Sequence, residues 1–205
     1  MTHKFRKKIP KRRDKKNIVK RYQEHKDDLI VDFRNRCGYC GAPDKWRTSW
    51  YEIDHFVPKD YIKIATDLDE QTYKNLVYAC RSCNNAKRSK WPTERPDVHN
   101  DGNKGFVDPC EVEYDSYFFR DENGSIFPHE SDLAMWMYNA FKFYKPRHHI
   151  LWQIEEASDD IDTIQSLLKD EDLKELMNKN PDIFIKLLDL YKKYKKYTED
   201  LASYK

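Results

Sequence analysis

Four of the five cysteines in this chain come as two pairs, "CGYC" at Cys37 and Cys40 and "CRSC" at Cys80 and Cys83. A two-residue gap lets both sulfurs of a pair turn toward one point, and two such pairs complete a tetrahedron with no open position. In a chain with no apolar segment of signal-peptide type near its start, this reads as a four-thiolate zinc site rather than as disulfides. An iron site of rubredoxin type is the other alternative, and the glycine-proline thiolate loops that would favour it are missing. A closed tetrahedral site is structural: it ties two distant stretches together where apolar area is short. The stretch between the pairs is longer than zinc sites usually have, which directs attention to what it contains.

Apolar area is indeed short, with 39% of the 205 residues hydrophobic and 36% charged. Aromatic residues, 14% of the chain, restore part of the core because each buries a large area. Only five glycines are present, which argues against glycine-rich phosphate loops and dinucleotide folds. No apolar run approaches the roughly 20 residues that span a bilayer, so a soluble, cytoplasmic protein without a membrane partner is expected. The net charge of +2 is unevenly spread, because residues 1–20 hold ten Lys or Arg against one Asp. A basic arm on a mildly acidic body suggests attraction to a polyanion, nucleic acid first, while a solvated, partly disordered tail is the plainer reading.

Four stretches follow from the patterning. Residues 1–16 form the basic arm, too polar to fold alone. Residues 17–92 begin with a predicted helix over 17–35, carried by Ile18, Val19, Tyr22, Leu29, Ile30 and Phe33, and continue through the cysteine core. Residues 93–130 are rich in proline and turn signals, with "YDSYFFRD" and "SIFPH" expected to pair as short strands. Residues 131–205 read as helical: Ser131 as an N-cap, Leu133, Met137, Ala140, Phe141 and Tyr144 on one face, and a break at Pro146. Further helices are predicted near 147–157, 159–178 and 181–203, with Pro181 in the first turn of the last.

Between the cysteine pairs lie "YEIDHFVPK" and "YKNLVYAC", and "NNAKRSK" follows Cys83. The order CxxC, then Asp54-His55 with Pro58, then Asn75-Leu76, then CxxCNxxK ending at Lys87, resembles the HNH endonuclease family. The resemblance implies an α+β fold: a ββα-metal nuclease core with structural zinc, flanked here by an N-terminal helix and a mostly helical C-terminal part. It also implies hydrolysis of DNA phosphodiester bonds. His55 suits the general base, because an imidazole is neutral near physiological pH and can take a proton from water. Asp54 and Asn84 would hold Mg2+ or Mn2+, hard cations that tolerate a mostly hydrated shell. Asn75 would bond the loop backbone and orient His55. Lys87, Arg81, Arg88 and Lys90 crowd one element and are candidates for phosphate contacts, with simple solvation as the alternative for Lys87. The final motif residue departs from those family members that have histidine where this chain has Asn84.

Members of this size and layout include bacterial anti-phage defence effectors that act with a protein partner such as an ATPase, and "FVDPC" followed by a helical tail is similar to that group. On that reading the face from Met135 to Tyr144 would be a docking surface. Two rivals belong to other classes, a non-catalytic zinc ribbon that binds nucleic acid and an interaction subunit with a vestigial nuclease core. His148 and His149 read as incidental, Cys110 as a buried small apolar residue, and Trp46, Trp50 and Trp91 as packing over the zinc loops.

Overall fold

The structure, a computed structural model, describes residues 2–14, 19–46, 50–64, 67–168 and 181–203. It divides into two compact units, Met1–Lys145 and Pro146–Lys205.

The centre of the first unit is a hairpin and a helix. Strand β2 (Tyr51–His55) pairs antiparallel with β3 (Leu76–Cys80), with Tyr51 opposite Cys80 and His55 opposite Leu76. Strand β3 is aromatic and apolar throughout, while β2 alternates Tyr51 and Ile53 with polar residues, a pattern that suits a pleated surface. Pro58, at φ −61°, ends the path of β2 and caps the short helix α2 (Lys59–Ile62). Helix α3 (Arg81–Lys87) begins directly after β3, with Cys80 as its N-cap, and stops at Arg88, whose φ of 49° leaves the helical region. This β-β-α order is the architecture expected of the cysteine core.

A second sheet has the order β1 (His3–Lys4), β4 (Phe118–Arg120), β5 (Ile126–Pro128). The expected pairing of the two segments around "DENGS" is present, with Phe118 opposite Pro128. Between the sheets sits a core of packed rings, among them Phe5, Tyr39, Phe106, Phe118, Phe141 and Phe143. Ring centroids lie 4.9 Å apart for Phe5–Phe118 and 4.5 Å apart for Tyr39–Phe141. Helix α4 (Asp132–Phe141) starts at Ser131, whose hydroxyl accepts from the Ala134 N–H, and ends at Lys142 in the left-handed region.

Several expectations need correction here. The basic arm is not a solvated tail: β1 pairs with β4, Phe5 and Arg6 are buried, and Arg6, Arg12 and Arg13 pair with Asp115, Asp108 and Asp32. Lys15 and Lys16 lie outside the described residues, as do Asn17 and Ile18 at the expected start of the first helix. What is described of that helix is a 3-10 turn at Tyr22–His25 followed by α1 (Lys26–Asp32). Of the Met135–Tyr144 face, Met137, Ala140 and Phe141 are buried in the core, while Met135 and Tyr144 are exposed. Trp91 packs in that core, whereas Trp50 is 72% exposed.

The second unit contains α5 (Arg147–Leu168) and α6 (Pro181–Ser203), which pack on each other. Its buried apolar residues include Ile154, Ile161, Leu190 and Leu201. The break predicted near Ser158 does not occur, and α5 runs through it. Ser and Asp are poor helix formers individually, but each costs well under about 1 kcal/mol in an interior, less than the packing on either side of them returns. Among the described residues no helix is long and apolar enough to cross a membrane.

Candidate functional site

Cys37 and Cys40 stand on the turn before β2, Cys80 ends β3, and Cys83 lies in the first turn of α3. All four are buried, and their sulfurs lie within 4.8 Å of one another, with Cys40 and Cys80 Sγ 4.0 Å apart. A zinc ion with sulfurs at about 2.3 Å would set the tetrahedron's edges near 3.8 Å, so the four are positioned to form a metal site that zinc fits. Burial pushes the Cys37 and Cys83 thiols up from their ordinary value; thiolates in this pocket therefore need a cation beside them.

The turn that carries the first pair is held by side chains from all over the unit. Arg6 Nη1 donates to the Gly38 carbonyl at 2.5 Å, the Tyr114 hydroxyl to that of Tyr39 at 3.0 Å, Arg120 Nη2 to that of Cys40 at 3.0 Å, and Arg36 Nη1 to that of Gly41 at 3.0 Å. Glycine is required at position 38: a Cβ there would lie 2.5 Å from the Phe33 ring and 2.8 Å from Val77. These donors satisfy four consecutive buried carbonyls that no helix or strand would pair.

His55 is the last residue of β2 and is 6% exposed. Its Nε2 lies 2.8 Å from the Glu70 carbonyl oxygen. A carbonyl can only accept, so Nε2 carries the proton and Nδ1 is the basic atom of the ring. The Tyr22 ring meets the imidazole edge-on at 4.7 Å, and Lys59 lies 4.5 Å over that same tyrosine while donating to Glu70 Oε2 at 2.6 Å. Burial pushes the imidazole below its ordinary pKa; the Glu70 carbonyl opposes this in part, and the Lys59 ammonium adds to it. Next to His55, Asn75 brackets Val57: its Oδ1 accepts from the Val57 N–H at 2.8 Å and its Nδ2 donates to the Val57 carbonyl at 3.0 Å. The Asn75 carbonyl also accepts from the Phe56 N–H at 2.8 Å.

Successive strand residues face opposite ways, so Glu52 and Asp54 share the face of β2 opposite to His55, and α3 lies across it. Asn84 Nδ2 donates to Glu52 Oε2 at 2.7 Å, and one helical turn later Lys87 Nζ lies 3.1 Å from Asp54 Oδ2. The Tyr39 hydroxyl donates to the same Asp54 oxygen at 2.5 Å. Each expected ligand of a hard cation therefore has one polar atom held by the protein, Asp54 by Oδ2 and Asn84 by Nδ2. The remaining atoms, Asp54 Oδ1 and the Asn84 amide oxygen, are hard oxygen atoms of the type that could hold magnesium or manganese.

Lys87 overturns its expectation. It is fully buried, and its ammonium donates to the His55 carbonyl at 2.9 Å in addition to pairing with Asp54. It cannot reach a phosphate. Arg81, Arg88 and Lys90, the other three of that group, are exposed. Sequence reasoning missed Tyr39, Glu52, Tyr22, Lys59 and Glu70. Two had a signal: Tyr39 lies inside the first cysteine pair, and Glu52 lies two residues before Asp54 and so shares its face.

With this geometry in place, the comparisons with known proteins give one match: residues 37–90, about a quarter of the chain, match the family model described as HNH endonuclease. No curated protein and no solved structure matches the chain.

Proposed function

We propose that this chain, whose residues 37–90 match the HNH endonuclease family model, hydrolyses DNA phosphodiester bonds in a metal-dependent reaction, with His55 as the general base. The observation that carries the proposal is the setting of His55: a buried imidazole whose Nε2 lies 2.8 Å from the Glu70 carbonyl oxygen, with burial holding its pKa below the ordinary value. Nδ1 accepts a proton from water as the water attacks phosphorus. The bond to Glu70 steadies the ring, so that the imidazolium keeps its orientation once formed. Asn75 holds the backbone immediately after His55 through Val57, which fixes where the strand ends and hence where the imidazole points.

Asp54 and Asn84 would hold Mg2+ or Mn2+, which when bound would supply charge relief to a phosphate. The four cysteines hold structural zinc. Arg81, Arg88 and Lys90, exposed at and beyond α3, are the side chains to meet backbone phosphates, a sequence-independent attraction. A cytoplasmic setting, which keeps thiols reduced, goes with this reading. So does the wider role of an anti-phage effector with an ATPase partner, supported by the layout of a small core, the "FVDPC" loop and a helical tail.

The test is plasmid cleavage by the intact protein and His55→Ala, each with Mg2+ or Mn2+ and matched zinc content. General-base loss is expected to slow cleavage by roughly 10²–10⁴-fold. Cutting that survives the substitution sinks the mechanism. If neither protein cuts, the zinc-ribbon and vestigial-core readings gain, and a co-purifying ATPase becomes the next thing to add.

A further inference from the structure

A buried lysine is informative because lysine is almost never fully buried unless paired. Lys87 is 0% exposed, and its ammonium has two anchors on β2, the Asp54 carboxylate at 3.1 Å and the His55 carbonyl at 2.9 Å. Its aliphatic stem runs into the ring core, and Nζ lies 5.6 Å from the Phe106 centroid. Tyr39 reaches the same carboxylate oxygen from the other side. The two side chains come from the two halves of the cysteine site. Tyr39 stands within the first pair, and Lys87 ends the helix that begins with the second. Both halves therefore converge on one oxygen of one residue.

We propose that Lys87 and Tyr39 are positioning residues that transmit the geometry of the cysteine cluster to the end of β2. By occupying Asp54 Oδ2 they reserve Oδ1 as the single oxygen facing a hard cation. By donating to the His55 carbonyl, Lys87 also fixes the peptide that carries the base. The cation ligand and the base leave opposite faces of the strand at adjacent positions, so one buried ammonium touching both residues sets their relative placement. Neither side chain touches substrate or the reacting atoms. This rests on the reading of His55 and Asp54 given above, and it adds the element that couples them to the cysteine site.

The test uses the full chain, loaded with zinc, in three variants, with Asp54→Asn alone as the reference for the third. Tyr39→Phe keeps every charge and removes one donor. Lys87→Met removes the ammonium and leaves the buried Asp54 carboxylate with the Tyr39 hydroxyl as its remaining donor. The double variant Lys87→Met/Asp54→Asn removes both charges together and keeps the buried pair neutral. Three quantities are measured: zinc per chain, the imidazole nitrogen resonances of His55 without added Mg2+ or Mn2+, and plasmid cleavage at saturating Mn2+.

Zinc content is expected to be unchanged in Tyr39→Phe and in the double variant. In Tyr39→Phe, kcat should fall about 10–100-fold, the scale seen when a residue behind a metal ligand is lost, with KM for plasmid unchanged. The His55 resonances should move in the double variant relative to Asp54→Asn alone, because only the double variant lacks the Lys87 donor to its carbonyl. A residue that merely stabilises the fold would lower the melting temperature while leaving both kcat and the resonances of the folded protein alone, and that outcome overturns the proposal. If the unaltered protein cuts nothing, the hydrolytic function fails, yet the His55 resonances still decide whether Lys87 positions it.

Discussion

Around the cysteine cluster the backbone is held by side chains that end in charge, each reaching far along the chain. Arg6 grips Gly38 and Asp115, Arg120 grips Cys40 and Phe5, and Lys87 grips Asp54 and His55. In residues 146–205 two long helices pack through Ile154, Ile161, Leu190 and other apolar side chains, with Glu155 and His148 among the buried polar exceptions in their described residues. Apolar packing is non-directional and tolerates adjustment. Buried charged donors do not, because removing one leaves its partners unsatisfied in a dry interior. The difference teaches where precision is placed: the unit proposed to hold a base and a cation ligand in register is braced by long-range directional bonds, whereas apolar packing carries more of the helix pair.

Metal removal should separate the two units most sharply. Chelation of the structural zinc, or Cys83→Ser, is expected to unfold the first unit, since a closed four-thiolate site contributes on the order of 10 kcal/mol. The helical signal of α5 and α6 should survive. Circular dichroism followed alongside the near-ultraviolet signal of the buried rings checks this. Simultaneous loss of both signals would show that the two units fold as one and would break the comparison.

A smaller effect comes from single substitutions of similar bulk lost. Arg6→Met strands the Gly38 and Pro109 carbonyls and the Asp115 carboxylate. Removing one partner of a buried pair costs about 3–5 kcal/mol, and the lower end applies because Asp115 is partly exposed. Zinc affinity should fall with it, because the turn carrying Cys37 and Cys40 loses its brace. Leu190→Ala in α6 is expected to cost about 2 kcal/mol, the low end for a truncated core residue, with zinc affinity unchanged. Equal loss of zinc in the two variants would remove the distinction.

The same contrast explains what the sequence could reveal. The cysteine cluster was legible because a four-thiolate site restricts residue type at fixed positions, and the Asp54-His55 pair and Asn84 were legible as parts of the motif that the family model matches. The partners of buried charges were not. Arg6 meets Asp115 at a separation of 109 residues and Arg12 meets Asp108 at 96, distances at which no periodicity connects them. A basic run and a tail look alike until those carboxylates are placed. Lys87 in "NNAKRSK" has the look of a solvated lysine because its neighbours Asn85 and Arg88 are exposed; its own burial is set by the strand beneath it. The helix break predicted at Ser158 failed for the opposite reason: local propensity was read, and packing overrode it.

The smallest of the expected effects concerns pH and bears on the directional side of the comparison. Burial and Lys59 hold the His55 imidazole below its ordinary value of 6.5. The base works only when neutral, so cleavage should be flat through pH 7 and decline only on the acid side of 6.5, with a single-proton slope. Stability follows the same sign: the fold favours the neutral ring, so this contribution is complete above 6.5 and is lost as pH falls through the lower folded value. Zinc release also follows acid, through protonation of the thiolates, so zinc content must be measured at each pH; a decline in rate at constant zinc belongs to the imidazole. Lys59→Met removes a positive neighbour and leaves Glu70 without its ammonium partner, and both changes favour the charged ring. The acid limb should therefore move toward higher pH, by less than the whole shift because burial is its largest cause. A limb that stays in place in Lys59→Met would mean that another group governs the rate, and His55 would lose its assigned role.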